Sequence, residues 1–289
     1  MNRDFLGTLS TISGIMARFG YSELFVNGSR GVYAALNGRT LPVKDLTLPE
    51  VAILANQVRL FARSNGLRLD ALNPFCGGTI RDFDLRWHAV VCPATTDEIV
   101  LSVRRHKFHD LTLESFNLSV HNLELLNTAV ANMQPILVAG PTGSGKTSFL
   151  TSILKKWHFQ KRVLIAEAVA EIPVLSPQWI SLFETHANTA GNGRVSIKQI
   201  AREALRLRPE VFVVGELRGS EADVFFDLNF SGHGGVLGTI HGDSVAGVRA
   251  RLKRMLGKHH QSLWPSFNIL MVFMKDTEVV DLAMHEVTI

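Results

Sequence analysis

Gly140-Pro141-Thr142-Gly143-Ser144-Gly145-Lys146-Thr147 matches the phosphate-loop pattern G-x-x-x-x-G-K-[ST] in full. The apolar run Pro135–Ala139 before it reads as a buried strand, and Phe149–Trp157 after it reads as a helix. That is the strand–loop–helix setting the pattern needs. Glycines let successive backbone N–H groups turn inward around phosphate oxygens. The helix that opens at the loop adds the positive end of its dipole. Lys146 is placed to reach the β- and γ-phosphates, and the Thr147 hydroxyl to ligate Mg2+. Gly140 through Thr147, with Ser148 beside them, form the candidate nucleotide-binding set. A nucleoside triphosphate, ATP, with Mg2+ is the expected ligand.

The 289 residues are 46% hydrophobic and 19% charged, which suits one or two domains with substantial cores. The net charge is +4 and the pI about 9.2. This permits an anionic partner (nucleic acid, lipid headgroups or the nucleotide itself) without demanding one. Runs of lysine and arginine, the mark of a nucleic-acid tail, are absent. Cys76 and Cys92 are expected to be reduced thiols of a cytosolic protein. Phe5–Ala17 is broken by Thr, Ser and Gly and reads as an amphipathic helix, not a signal peptide. No stretch reaches the roughly 20 apolar residues of a membrane span. Membrane association is therefore expected to be peripheral, through a partner.

Residues 1–107 read as an α+β domain. Glu23–Leu36 suggests two short strands around an Asn-Gly-Ser turn. Thr47-Leu-Pro-Glu50 has the form of a capping box, opening a helix with Val51, Leu54, Val58 and Phe61 on one face. Strand-like pieces follow at 82–91 and 98–103. The polar stretch 106–115 has no clear period, and 108–115 is the expected linker. From 116 to 289 strands and helices alternate. Strands are expected at 135–139, 162–166, 179–183, 211–215, 236–240, 268–274 and 279–285, and helices at 146–157, 197–207, 221–230 and 245–256. Such alternation predicts an α/β domain with a largely parallel sheet.

Val211-Phe-Val-Val214 leads into Gly215-Glu216. A buried strand ending in a carboxylate, downstream of a phosphate loop, is the Walker B arrangement. Strand ends in such sheets open onto the ligand crevice. Glu216 there is placed to hold the Mg2+ shell or polarise a water. Glu167 and Glu171 follow a second strand and form a weaker acidic site. Ser231-Gly-His233-Gly-Gly235 and Gly238-Thr-Ile-His241-Gly242 bracket the next strand. A histidine at such a strand end can donate a hydrogen bond to a γ-phosphate.

The ordered set is the phosphate loop, Glu167-x-x-x-Glu171, Leu205-Arg-Leu-Arg-Pro209-Glu, Gly215-Glu-Leu-Arg218-Gly, Ser231-Gly-His233-Gly and Thr239-Ile-His241. It resembles the type II/type IV secretion ATPase superfamily, hexameric motors of secretion systems, pili and DNA conjugation. The Gly-Glu-Leu-Arg-Gly and Gly-Thr-Ile-His spellings sit nearest the type IV secretion and tight-adherence pilus branch. Leu24-Phe-Val-Asn27-Gly and Ser102-Val-Arg104-Arg105 resemble the N-terminal domain of that family. The resemblance implies a RecA-like ATPase domain, a homohexameric ring and a platform partner at the inner membrane. It also implies roles. Glu216 would be the catalytic glutamate, Glu171 would close the acidic box, and His241 would sit near the γ-phosphate. Glu216, Glu171 and Thr147 are the candidate metal-site residues. Arg86 and Arg104 match arginines that reach a nucleotide phosphate in relatives, and Arg218 would serve the site or a subunit contact. The acidic box departs from its usual Glu-Asp, reading Glu167-Ala168, which would slow turnover. Ser231 stands where threonine is usual. The chain begins almost at the N-terminal domain, without the extra leading segment of some pilus motors, which bears on partner docking. Two other readings remain open from sequence: a nucleic-acid translocase, and a nucleotide-gated scaffold with little hydrolysis.

Overall fold

A computed structural model describes residues 3–36, 38–44, 46–105, 111–185, 193–219, 221–230, 235–256 and 266–288. The chain divides into two compact units, Met1–Lys107 with His186–Arg194, and Phe108–Thr185 with Val195–Ile289.

The first unit runs α1 (Arg3–Phe19), β1 (Glu23–Asn27), β2 (Val32–Leu36), β3 (Arg39–Pro42), α2 (Val51–Ser64), β4 (Phe75–Ile80), β5 (Leu85–Val90) and β6 (Val100–Arg105). The six strands form one antiparallel sheet in the order β3-β2-β1-β6-β5-β4. Alternate strand residues face the core, as period 2 requires: Leu24 and Val26, Leu85, Trp87 and Ala89, Leu101 and Val103. Phe5, Leu9, Ile12 and Met16 of α1 recur at helical spacing and are fully buried against them, with Leu54, Val58 and Phe61 of α2. The α1 segment is thus the amphipathic helix its sequence suggests.

Several expectations for this unit need correction. Thr47 does not cap α2. The helix starts at Val51 after Glu50, with no side-chain cap, because Pro49 biases Leu48 away from helical backbone. The strand expected from 82 begins at Leu85, since Arg81–Phe83 form a 3-10 turn and Asp84 has φ 50°. Strands β3 and β4 were not anticipated. Gly77 and Gly78 disguise β4, yet the ladder needs a glycine there. A Cβ on Gly77 would lie 2.7 Å from the Trp87 carbonyl oxygen.

The second unit contains α3 (Val120–Ala131), β7 (Ile136–Gly140), α4 (Lys146–Trp157), β8 (Val163–Glu167), β9 (Trp179–Phe183) and α5 (Ile197–Ala204). It continues with β10 (Val211–Leu217), α6 (Glu221–Phe230), β11 (Val236–His241), α7 (Val245–Met255), β12 (Ser266–Lys275) and β13 (Glu278–Thr288). The sheet order is β13-β12-β7-β11-β10-β8-β9, parallel from β12 to β9, with β13 antiparallel at one edge. Both faces are covered, which is why the strands read as unbroken apolar runs. Within β7, Leu137 and Ala139 join the core under α5, α6 and α7, while Ile136 and Val138 join the core under α3 and α4. Helix α5 is shorter than expected, ending at Ala204 before a 3-10 turn over Leu205–Leu207, and its Ser196 cap accepts from the Gln199 N–H. Part of the expected linker is packed: Leu113–Phe116 form a 3-10 turn with Leu113 and Phe116 buried. Phe116 meets Phe149 of α4 edge-on at 4.9 Å. Residues 106–110 lie outside the described residues. Among those described, no helix is long and apolar enough to cross a membrane.

Candidate functional site

Parallel pairing brings the carboxyl ends of β7, β11, β10 and β8 to one edge of the sheet. Gly140 pairs in register with His241, and Ile240 with Leu217 beyond a register shift in β10. Chain sites far apart in sequence converge there because each βα unit turns back at that edge.

The loop between β7 and α4 is shaped by glycine. Gly140, Gly143 and Gly145 have φ of 152°, 79° and 84°. At Gly140 a Cβ would stand 2.2 Å from the Met274 carbonyl oxygen and 2.6 Å from Ser144 Oγ, so only glycine fits. Gly145 is the N-cap of α4 in left-handed conformation, with no side-chain cap on the first turn. That leaves the helix N-terminus to an anion. Ser144 is buried and its hydroxyl has no hydrogen-bond partner. A phosphate oxygen is the kind of acceptor this group lacks. The Lys146 ammonium donates to the carbonyls of Gly140 (3.0 Å) and Pro141 (2.7 Å), folded back over its own loop. Burial pulls its pKa below the usual lysine value, while the Glu216 and Glu171 carboxylates push it back up. Lys146 therefore feels both acidic candidates. Thr147 and Ser148 are half-buried on the first turn of α4. Thr142 Oγ1 lies 3.4 Å from His241 Nδ1, which puts the histidine at the rim of the loop. Arg251 of α7 donates to the His241 carbonyl at 2.9 Å.

Glu216 is paired. Arg218 Nε and Nη2 approach its Oε2 at 2.8 and 2.6 Å. The Arg218 guanidinium has its pKa raised, first by that hydrogen bond, with burial opposing it. The turn after β10 is held by Glu221, whose carboxylate accepts from the backbone N–H of Arg218 and Gly219. The Thr239 hydroxyl of β11 donates to the Gly215 carbonyl and ties the two strand ends together.

Glu167 and Glu171 do not act as an equivalent pair. Glu167 is buried, and its Oε1 accepts from the N–H groups of Glu171 and Ile172, each at 3.0 Å. It scaffolds the loop that carries Glu171. Gly215 allows this, because a Cβ there would meet Glu167 Cγ at 2.7 Å. Glu171 itself is half-buried and close enough to Lys146 and Arg218 to act on both. Ala168, at the usual acidic position, packs against the hydrophobic core.

Arg86 and Arg104 lie in the first unit, directly opposite each other on β5 and β6. Arg104 also approaches Glu23 Oε1 at 3.6 Å. His233 and its neighbours 231–234 lie outside the described residues. Among the described residues, no cluster of three or more His, Cys, Asp or Glu side chains could hold a metal by itself. A Mg2+ site here would rest on the Thr147 hydroxyl and the Glu216 and Glu171 carboxylates together with phosphate oxygens and water, the one-or-two-carboxylate mode typical of nucleotide-bound magnesium. Glu221 and Arg251 carry no sequence signal of their own, and Thr239 is legible only as part of Thr239-Ile-His241. Each acts on a backbone atom, and side-chain patterns do not record that. Glu167 was noticed, but its buried scaffolding role appears only with the fold.

The chain matches the model of a family described as "Type II/IV secretion system protein" over residues 79–274. A protein of Mycobacterium tuberculosis (strain CDC 1551 / Oshkosh) named "Putative conjugal transfer protein" is 30% identical over 251 residues, covering 83% of this chain and 71% of that protein. The "Type IV secretion system protein VirB11" of Brucella suis biovar 1 is 30% identical over 167 residues, 56% of this chain and 45% of that protein. Among solved structures, the pilus retraction motor PilT with bound ADP has a TM-score of 0.63 at 19% identity, covering 96% of this chain and 82% of that one. The Legionella pneumophila ATPase DotB has a TM-score of 0.60 at 19% identity, covering 94% and 78%. These structural likenesses bear on the fold. With the family match across both units and the phosphate loop on the sheet edge, the chain belongs to the type II/IV secretion system protein family and is a P-loop ATPase of RecA-like fold.

Proposed function

We propose that this chain hydrolyses ATP with Mg2+ as a homo-oligomeric, hexameric motor that powers secretion or pilus-like assembly. It would work in the cytoplasm, docked peripherally on an inner-membrane platform protein. The observation that carries the reading is the loop itself: a partly buried ammonium parked on two carbonyls, beside an uncapped helix N-terminus and an orphaned serine hydroxyl. On ATP binding, Lys146 exchanges those carbonyls for phosphate oxygens, while the loop N–H groups take the rest. Mg2+ held by Thr147 would supply charge neutralisation on the phosphates. Glu216 orients the attacking water and takes its proton, with Glu171 supporting the local field. His241, beside Thr142, donates to the γ-phosphate. Arg86 and Arg104, by the family resemblance, would be the arginines that serve a nucleotide phosphate. The division into domains 1–107 and 116–289, joined by 108–115, is part of this proposal.

The name of the mycobacterial relative favours one second reading, a motor whose transported substrate is nucleic acid. The test is MgATP turnover per subunit against protein concentration, with Glu216→Gln as blank. Turnover that rises with concentration and vanishes in the variant supports a site completed in the ring. Turnover equal to the blank sinks the hydrolysis reading. Stimulation by DNA, lost at high salt, would favour the nucleic-acid reading.

A further inference from the structure

The strand order separates two flanks of the phosphate loop. Glu216 on β10, His241 on β11 and Glu171 after β8 all lie on one side of β7. They mark the end of the nucleotide where the γ-phosphate reacts. The other side of β7 is β12, whose hairpin with β13 turns at Lys275-Asp276-Thr277-Glu278. This turn stands beside the loop. From the Cβ position of Gly145, Thr277 Cα and Cγ2 are each 3.8 Å away and Met274 Cε is 3.6 Å away. Asp276 and Thr277 have φ of 50° and 67°. That is the left-handed pair of a two-residue hairpin turn, normally filled by Asn-Gly or Asp-Gly. A β-branched threonine at positive φ is an outlier, and such outliers gather at ligand clamps.

Resting on the ATPase reading above, we infer that the β12–β13 turn is the ribose wall of the nucleotide site, with Asp276 as acceptor for the ribose hydroxyls. The triphosphate spans the loop from the catalytic flank. Its α-phosphate end, and the sugar after it, must leave past the opposite flank, beside Gly145. Asp276 is solvent-exposed at the tip of the turn that stands there. A carboxylate is the acceptor that dinucleotide-binding folds also use for ribose hydroxyls. The Thr277 methyl, which faces the Gly145 position, sets the distance of the wall from the loop.

The experiment is calorimetric titration of the full chain with ATP and with 2′,3′-dideoxyATP. Wild type, Asp276→Ala and Asp276→Asn are compared, with thermal melts confirming that each is folded. Wild type is expected to prefer ATP about tenfold, as one well-made hydrogen bond gives. Asp276→Ala should bind both nucleotides at the weaker affinity. Asp276→Asn keeps an oxygen acceptor and should keep most of the preference. Wild type that binds the two nucleotides equally overturns the inference and leaves the ATPase reading intact. So does Asp276→Ala that retains the preference. Wild type that binds neither nucleotide overturns both.

Discussion

Gly215→Ala tests the packing that links Walker B to the acidic loop. The new Cβ would stand 2.7 Å from Glu167 Cγ and 3.3 Å from its Oε1. Carbon atoms rest at about 3.5–4.0 Å, so Glu167 must move by about 1 Å. The backbone cannot yield easily, because Val214 pairs with Ala166 in the sheet interior. Glu167 is 2% exposed, so protein encloses its side chain. Its movement breaks the two bonds to the N–H groups of Glu171 and Ile172. Leaving each buried donor without its partner costs about 1–3 kcal/mol. One added methyl returns about 0.8 kcal/mol. A net loss of about 3 kcal/mol is expected, together with a displaced Glu171 and a fall in turnover. Urea unfolding and MgATP turnover measure the two effects. Glu167→Ala removes the clashing carboxylate, so Gly215→Ala should cost almost nothing more in that background. Stability of Gly215→Ala within about 0.5 kcal/mol of wild type, the span of an ordinary surface change, would refute the reasoning.

Arg218→Ala should shift stability by less than about 1 kcal/mol, because its ion pair with Glu216 is half-exposed. It should lower kcat about tenfold with the KM for MgATP little changed, since Arg218 acts through Glu216; a loss confined to KM would argue against that route. His158 is buried, and burial, helped by Lys161, lowers its pKa from 6.5 to about 4. Between those values the unfolded chain takes up a proton that the native chain refuses. Stability is therefore full above pH 6.5 and falls by about 3 kcal/mol towards pH 4. His158→Leu should flatten the pH dependence of unfolding by that amount, and an unchanged slope would count against a neutral buried imidazole. Both cysteines are free, Cys76 buried and Cys92 exposed, and burial pushes the Cys76 thiol up to about 11. Native protein should consume one equivalent of a thiol reagent quickly and a second only on unfolding, and rapid titration of both would contradict the burial of Cys76.

The sequence by itself determined the nucleotide loop, the alternation that makes a parallel sheet, and the acidic strand end at Glu216. These are local properties. Glycine spacing, apolar period and a strand-ending carboxylate each sit within a few residues of one another, so a linear reading captures them. The N-terminal domain was less legible. β4 carries two adjacent glycines, and α2 starts after a proline that spoils its capping box. Their outcome depends on what packs beside them, as at Gly77 against Trp87. Only the tertiary structure decided on which flank of the loop Glu216, His241 and Glu171 stand, because strand order does not follow chain order. It also separated Glu167 from Glu171. The two carboxylates look alike in sequence, but one is buried and spends an oxygen on backbone N–H groups while the other stands by Lys146. Burial and hydrogen-bond direction are set by residues distant along the chain, and so they became readable only once the sheet was assembled.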